Sequence, residues 1–126
     1  MIILCCGDRN WNDKKTIKSI IKSLPRHVEI IHGNANGADK QSRDVAEKLG
    51  FKTTPYSAKW HIFGKGAGPR RNIEMLDKKP SIIFAFHNDI NSSVGTKHCI
   101  IEATRRKIPV YLISKTSKIN VYKIGK

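Results

Sequence analysis

The first thirteen residues read MIILCCGDRNWND, and residues 1–6 of that stretch decide the fold. The apolar run MIILCC is unbroken, the pattern of a strand buried on both faces rather than one with a wet face. Gly7-Asp8-Arg9-Asn10 closes it as a loop, and Asn12 or Asp13 stands where a helix needs its cap. Ile17, Ile20, Ile21 and Leu24 then recur at helical spacing with lysines on the opposite side, and Pro25 ends that helix.

The same alternation continues outward. Glu29 to His32 reads as a strand, and the glycine-bearing loop 33–39 leads into a helix with Ala38, Ser42, Val45 and Leu49 inward and Gly50 at its end. Phe51 to Pro55 is a third strand, Tyr56 to Gly68 a long loop, and Pro69 to about Lys78 a helix. SIIFAF (81–86) is a fourth buried strand, Gly95-Thr96 opens a helix carrying Ile100 and Ala103, and PVYLI (109–113) is a fifth strand. Strands alternating with helices predict parallel pairing through right-handed crossovers. The fold class is therefore α/β: a single doubly wound domain of about five parallel strands with helices on both faces. It spans residues 1–113. Residues 114–126 form a basic tail or, through Val121-Tyr122, an edge strand.

Ligands of such folds bind outside the carboxyl ends of the strands. The loops after strands one to four fall at that end and bring Gly7, Asp8, Arg9, Gly33, Gly37, Asp39, Arg71, Asn72, Gly95 and Thr96 to one rim.

Composition narrows the ligand class. The 126 residues carry 24 Lys+Arg against 10 Asp+Glu, a net charge of +14. That balance favours anionic partners: nucleotides, nucleic acid or an acidic surface. Tail lysines such as Lys115, Lys118, Lys123 and Lys126 are read as solvated. No apolar run is long enough to span a bilayer and the opening residues do not read as a signal peptide, so the expectation is no membrane and a cytoplasmic location. Three cysteines, two of them the neighbours Cys5 and Cys6, give neither a disulfide framework nor zinc spacing, and they are expected as reduced thiols. No metal and no cofactor are expected.

The densest local signal is WHIFGKGAGPRRNIEM, residues 60–75. Its glycines allow close backbone approach, and Pro69 suits a first helical turn. N–H groups at a helix start favour anions, and arginine adds a planar fork for phosphate. This is read as a phosphate- or nucleotide-binding loop, with Lys65, Gly68, Arg71 and Asn72 at the ligand and Arg70 turned away, because adjacent helical residues do not share a face.

Four strings together carry a family resemblance: GDRNWND at 7–13, HGNANGAD at 32–39, the string 60–75 and SVGT at 93–96. They resemble the SLOG superfamily, in its small single-domain YspA or cpYpsA-related branch, over roughly residues 1–113. The resemblance implies a Rossmann-like fold and a nucleotide or nucleotide-derived ligand. It also implies alternatives. LOG phosphoribohydrolases of the superfamily split the N-glycosidic bond of a nucleoside monophosphate, using an R-K-x2-M string and a P-G-G-x-G-T-x2-E string. Arg71 to Met75 matches the first in part, so Arg71 carries over. Ser93 to Thr96 matches the second in part, and Cys99 stands where the catalytic glutamate belongs. DprA, another branch, binds single-stranded DNA. Related enzymes are often dimers, so a homodimer is an expectation.

The first reading is thus a SLOG-type binding or sensing domain. The second is a nucleotide N-glycosidase in which Arg71 clamps an anion and Asp8, Asp39 or Glu102 supplies the carboxylate. The third is a nucleic-acid module held by weak contacts of the positive charge. Several residues keep two readings: Arg9 as phosphate contact or turn residue, Asp39 as ribose contact or helix cap, and Trp60 as base-stacking ring or anchor of the long loop. Trp11 is read as core. His32 is read as a buried histidine that fixes the second loop, and His61, His87 and His98 show no metal-ligand spacing.

Overall fold

A computed structural model describes residues 1–115 and 118–124. Six strands form one sheet: β1 (Ile2–Gly7), β2 (Glu29–His32), β3 (Lys52–Pro55), β4 (Ile82–Phe86), β5 (Val110–Lys115) and β6 (Ile119–Ile124). Their order is β3-β2-β1-β4-β5-β6. The first five are parallel, with Leu4 opposite both Ile31 and Ile83, and β6 runs antiparallel to β5. Of the two readings of the basic segment, the edge strand is the one that forms, over a longer stretch than Val121-Tyr122. Lys126 lies outside the described residues.

Helices α1 (Lys14–Ile21) and α2 (Ala38–Lys48) cover one face; α4 (Ala67–Asp77) and α5 (Gly95–Arg105) cover the other. The apolar run in β1 explains why both faces are needed. Ile3 and Cys5 enter a core with Ile17, Ile21 and Ala46, while Leu4 and Cys6 enter a second core with Met75, Cys99 and Ala103. Strand alternation sends successive side chains to opposite faces, so a continuous apolar run is buried only if both are covered. Trp11 is core, its indole tilted against Phe86 at 5.8 Å between ring centroids. Cys5, Cys6 and Cys99 are free and buried.

The segment expected as one long loop is partly helical. A turn of helix, α3 (Trp60–Phe63), leads through a tighter turn at Gly64–Gly66 into α4, which begins two residues before Pro69. Proline is tolerated there because N–H groups of the first helical turn have no intrahelical acceptor. Arg70 does turn away from Arg71: its guanidinium lies 4.2 Å from the centroid of the exposed Phe63 ring.

Candidate functional site

The sheet order reverses between β1 and β4: the chain runs from β1 out through β2 to β3 at one edge, then crosses back to β4 and runs on to β5 on the other side. Loops leaving these two strands diverge to opposite faces and leave a crevice between them. A cavity of about 390 Å³ lies there, lined by Gly7, Asp8 and Arg9 after β1 and by His87 and residues 92–96 after β4. Asp39, Arg71 and Asn72 complete its wall. A second cavity of about 520 Å³ adjoins it, walled by Gly33 to Asn36, Trp60, Lys65, Gly68 and His98. The two lobes share Arg9, Ala35, Arg71, Asn72, Val94 and Gly95.

Arg71 is braced at the junction. Its Nη1 donates to the carbonyl of Gly33 at 2.5 Å, and its Nε donates to Asn72 Oδ1 at 3.0 Å. Asn72, buried, passes the brace on by donating from Nδ2 to the Gly95 carbonyl at 3.2 Å and by meeting His98 Nδ1 at 3.3 Å. Loops from three strands are thus tied through one arginine–asparagine pair.

Gly33 is required by that geometry. A Cβ at this position would stand 2.3 Å from Arg71 Nη1 and 2.8 Å from Asp39 Oδ2. The guanidinium and the carboxylate therefore approach from two sides of a residue that has no side chain. Asp39, in the first turn of α2, is buried and accepts from the Ala35 N–H at 3.3 Å. It caps the preceding loop rather than its own helix. Burial pushes its carboxyl up to about 6, although Arg71 and the N–H groups of Ala35 and Gly33 pull the other way. His32, fully buried at the end of β2, accepts the Asn34 N–H on Nδ1 at 3.1 Å and so fixes this loop. Burial and the charges of Arg43 and Arg71 bring its pKa down to about 4, which keeps it neutral.

The other wall is the start of α5. Val94 occupies its N-cap position without a side-chain cap, while Ser93 Oγ accepts the Thr96 N–H at 3.0 Å. The remaining N–H groups at the first turn of this eleven-residue helix favour an anion.

Most of the residues expected at the rim converge. Gly7, Asp8, Asp39 and Thr96 line the first lobe, Gly33, Lys65 and Gly68 the second, and Arg9, Arg71, Asn72 and Gly95 both. Two stand outside. Gly37 serves packing: its φ is 76°, and a Cβ there would lie 2.3 Å from the Asp8 carbonyl, so it lets the second loop rest on the first. Glu102 lies seven residues along α5 from Gly95, about 10 Å down the axis. It pairs with Arg105 at 2.9 Å instead. Cys99, at the place of the enzyme glutamate, does line the first lobe, as a buried thiol.

Sequence reasoning missed Ala35, His87, Ser92 and Val94 as wall residues. His87 directly follows β4 and holds the Asp89 N–H on Nδ1 at 3.0 Å. Its position directly after a buried strand is the available signal. Among the described residues no group of three or more His, Cys, Asp or Glu could hold a metal ion, and no helix is long and apolar enough to cross a membrane.

Comparison with known proteins adds three findings. Residues 1–63 match the model of the YspA, cpYpsA-related SLOG family. The chain is 36% identical to the Gene 61 protein of Mycobacterium phage D29, over 86% of this chain and 92% of that protein. Its fold matches DNA processing protein A (DprA) from Streptococcus pneumoniae with a TM-score of 0.75 at 16% identity. That match covers 91% of this chain but 50% of DprA, so the chain spans half the length of that protein and the likeness carries the fold alone.

Proposed function

The chain belongs to the YspA, cpYpsA-related SLOG family, and from that membership and the shape of the crevice we propose that it binds a nucleotide or nucleotide-derived ligand. One observation carries the reading: the braced Arg71 and the start of α5 meet at the junction of two lobes, beside Arg9. A phosphate at that junction would receive a guanidinium fork and helix N–H groups together. Asp8, Asp39 and the hydroxyls of Ser92, Ser93 and Thr96 offer the first lobe's polar partners for sugar hydroxyls.

The test is a thermal-shift panel of adenine, guanine and pyrimidine nucleotides with ADP-ribose. At least one should raise the melting temperature, because a ligand that binds only the folded state stabilises it. No shift with any of them at millimolar concentration would sink the reading.

One observation favours the hydrolase alternative. Asp39 is a buried carboxyl at the cavity with its pKa raised to about 6, the kind of group that moves protons near neutral pH. Glycoside cleavage calls on a pair of carboxylates. Here the second would have to be Asp8, because Cys99 replaces the expected glutamate and Glu102 stands outside the lobes. Base release from nucleoside monophosphates, followed by chromatography, should therefore be absent or very slow. Rapid release, abolished by Asp39→Asn, would establish the hydrolase instead.

A further inference from the structure

We propose that the second lobe is a base clamp, in which Trp60 and Val94 hold a nucleobase between them while the phosphate sits at the Arg71 junction. The proposal rests on the nucleotide reading and adds the ligand's orientation and the residues that grip its base.

The observations are two apolar side chains left largely in water on the cavity wall. Trp60 is 53% exposed although it lines the cavity, and Val94 is 87% exposed. The outer edge of the indole rests on Gly68, where an added Cβ would come within 3.3 Å of Trp60 Cη2. That contact positions the ring without burying it. Val94 stands at the N-cap position of α5, but the cap bond is made by the preceding residue, Ser93, whose Oγ accepts the Thr96 N–H. The valine side chain takes no part in that bond and lies on the cavity as an aliphatic surface.

The neighbouring exposed apolar residues do not share this arrangement. Phe63 is covered by the Arg70 guanidinium, and Ile62 lies outside both lobes. Among the exposed large apolar side chains of the described residues, only Trp60 and Val94 line the two lobes. Aromatic rings accept the π-face of any base, and the polar groups of Asn34, Asn36 and His98 in the same lobe can meet a base edge.

The experiment compares AMP, GMP, CMP and UMP with ribose 5-phosphate, which has the sugar and phosphate but no base, by titration calorimetry on the whole chain. Trp60→Ala should weaken the best-binding nucleotide about ten-fold to a hundred-fold, the span of base–aromatic stacking. Ribose 5-phosphate affinity should be unchanged, and Trp60→Phe should restore most of the loss. Val94→Ser should weaken the nucleotide several-fold while leaving the melting temperature nearly unchanged, since Val94 is exposed and Ser93 keeps the cap bond. Nucleotide binding should also quench the emission of the exposed Trp60, with Trp11 shielded in the core. Nucleotide binding that is lost in Arg71→Ala but intact in both Trp60 variants would overturn the clamp and leave the nucleotide reading standing. Equal losses for nucleotide and ribose 5-phosphate in Trp60→Ala would overturn it too, by showing that Trp60 acts through the loop. No binding of any nucleotide by the unaltered chain would overturn both.

Discussion

Arg71 is fixed before any ligand arrives, because the Gly33 carbonyl and Asn72 already hold two of its donors. A pre-positioned guanidinium loses little side-chain freedom on binding, so its contact with phosphate should register nearly in full. Arg71→Ala is expected to weaken the best nucleotide by roughly 1.5–3 kcal/mol, about ten-fold to a hundred-fold and more, as calorimetry would show. Arg70→Ala, which loses only an exposed stack on Phe63, should change affinity little. Equal effects would mean that general charge, not this geometry, draws the ligand. Asp39 and His32 give a second residue-level prediction. Asp39 is raised from 3.8 to about 6, so its contribution to stability is full below 3.8 and is lost as pH rises through 6. His32 is lowered from 6.5 to about 4, so its contribution is present above 6.5 and is lost as pH falls toward 4. The two oppose each other over the same window. Asp39→Asn should therefore leave His32 uncompensated, and denaturant titrations of that variant should show stability falling more steeply from pH 6.5 to 4 than in the unaltered chain. Parallel curves would show that the Asp39 carboxyl is not raised.

At the scale of elements, the loops after β1, β2 and β4 are held to one another by backbone proximity as much as by side chains. Gly37→Ala would drive a Cβ into the Asp8 and Arg9 backbone at a positive φ, and should cost more than about 1 kcal/mol of stability. Gly95→Ala meets no described atom within 4 Å and opens α5, so the fold should tolerate it. Its new methyl would project at the lobe junction, however, and nucleotide affinity should fall while the melting temperature holds. A Gly95→Ala variant that binds normally would move the anion away from this helix start. These elements also show what sequence could and could not convey. The run in β1 and the helical spacing of Ile17 and Ile21 reported burial directly, because burial is what selects such residues. The turn of α3 was read as loop since three glycines and two lysines mask a four-residue helix that buries nothing. Glu102 looked close to the site only along the chain; the rise of α5 carries it away, and a charge partner one turn on takes it up.

For the whole molecule, the gathering of the βα loops at one edge of a parallel sheet was foreseeable from alternation alone, although alternation does not encode the strand order that sets the switch point between β1 and β4. The convergence of Arg71 and Asp39 on Gly33 was not, since nothing in the sequence encodes which glycine two distant side chains will flank. The edge strand β6 was undecided for a similar reason: Ile119, Val121 and Tyr122 remain exposed, so the apolar pattern there reports little burial. The net charge of +14 acts at this scale as a field, not as a site. Oligonucleotides should bind weakly and lose affinity steeply as salt is raised, the behaviour of contacts made to phosphates alone. Salt-resistant binding of single strands that nucleotide displaces would point to a nucleic-acid module instead. A single ligand is expected to occupy both lobes across the β1–β4 switch point. An amide-resolved NMR titration with the nucleotide that gives the largest thermal shift tests it most directly. The backbone signals of Gly33, Ala35, Gly95 and Thr96 and the indole N–H of Trp60 should move together with a single affinity, while those of β6 stay in place. Shifts confined to β6 and the lysine-rich surface, with the five site signals unmoved at saturation, would contradict it.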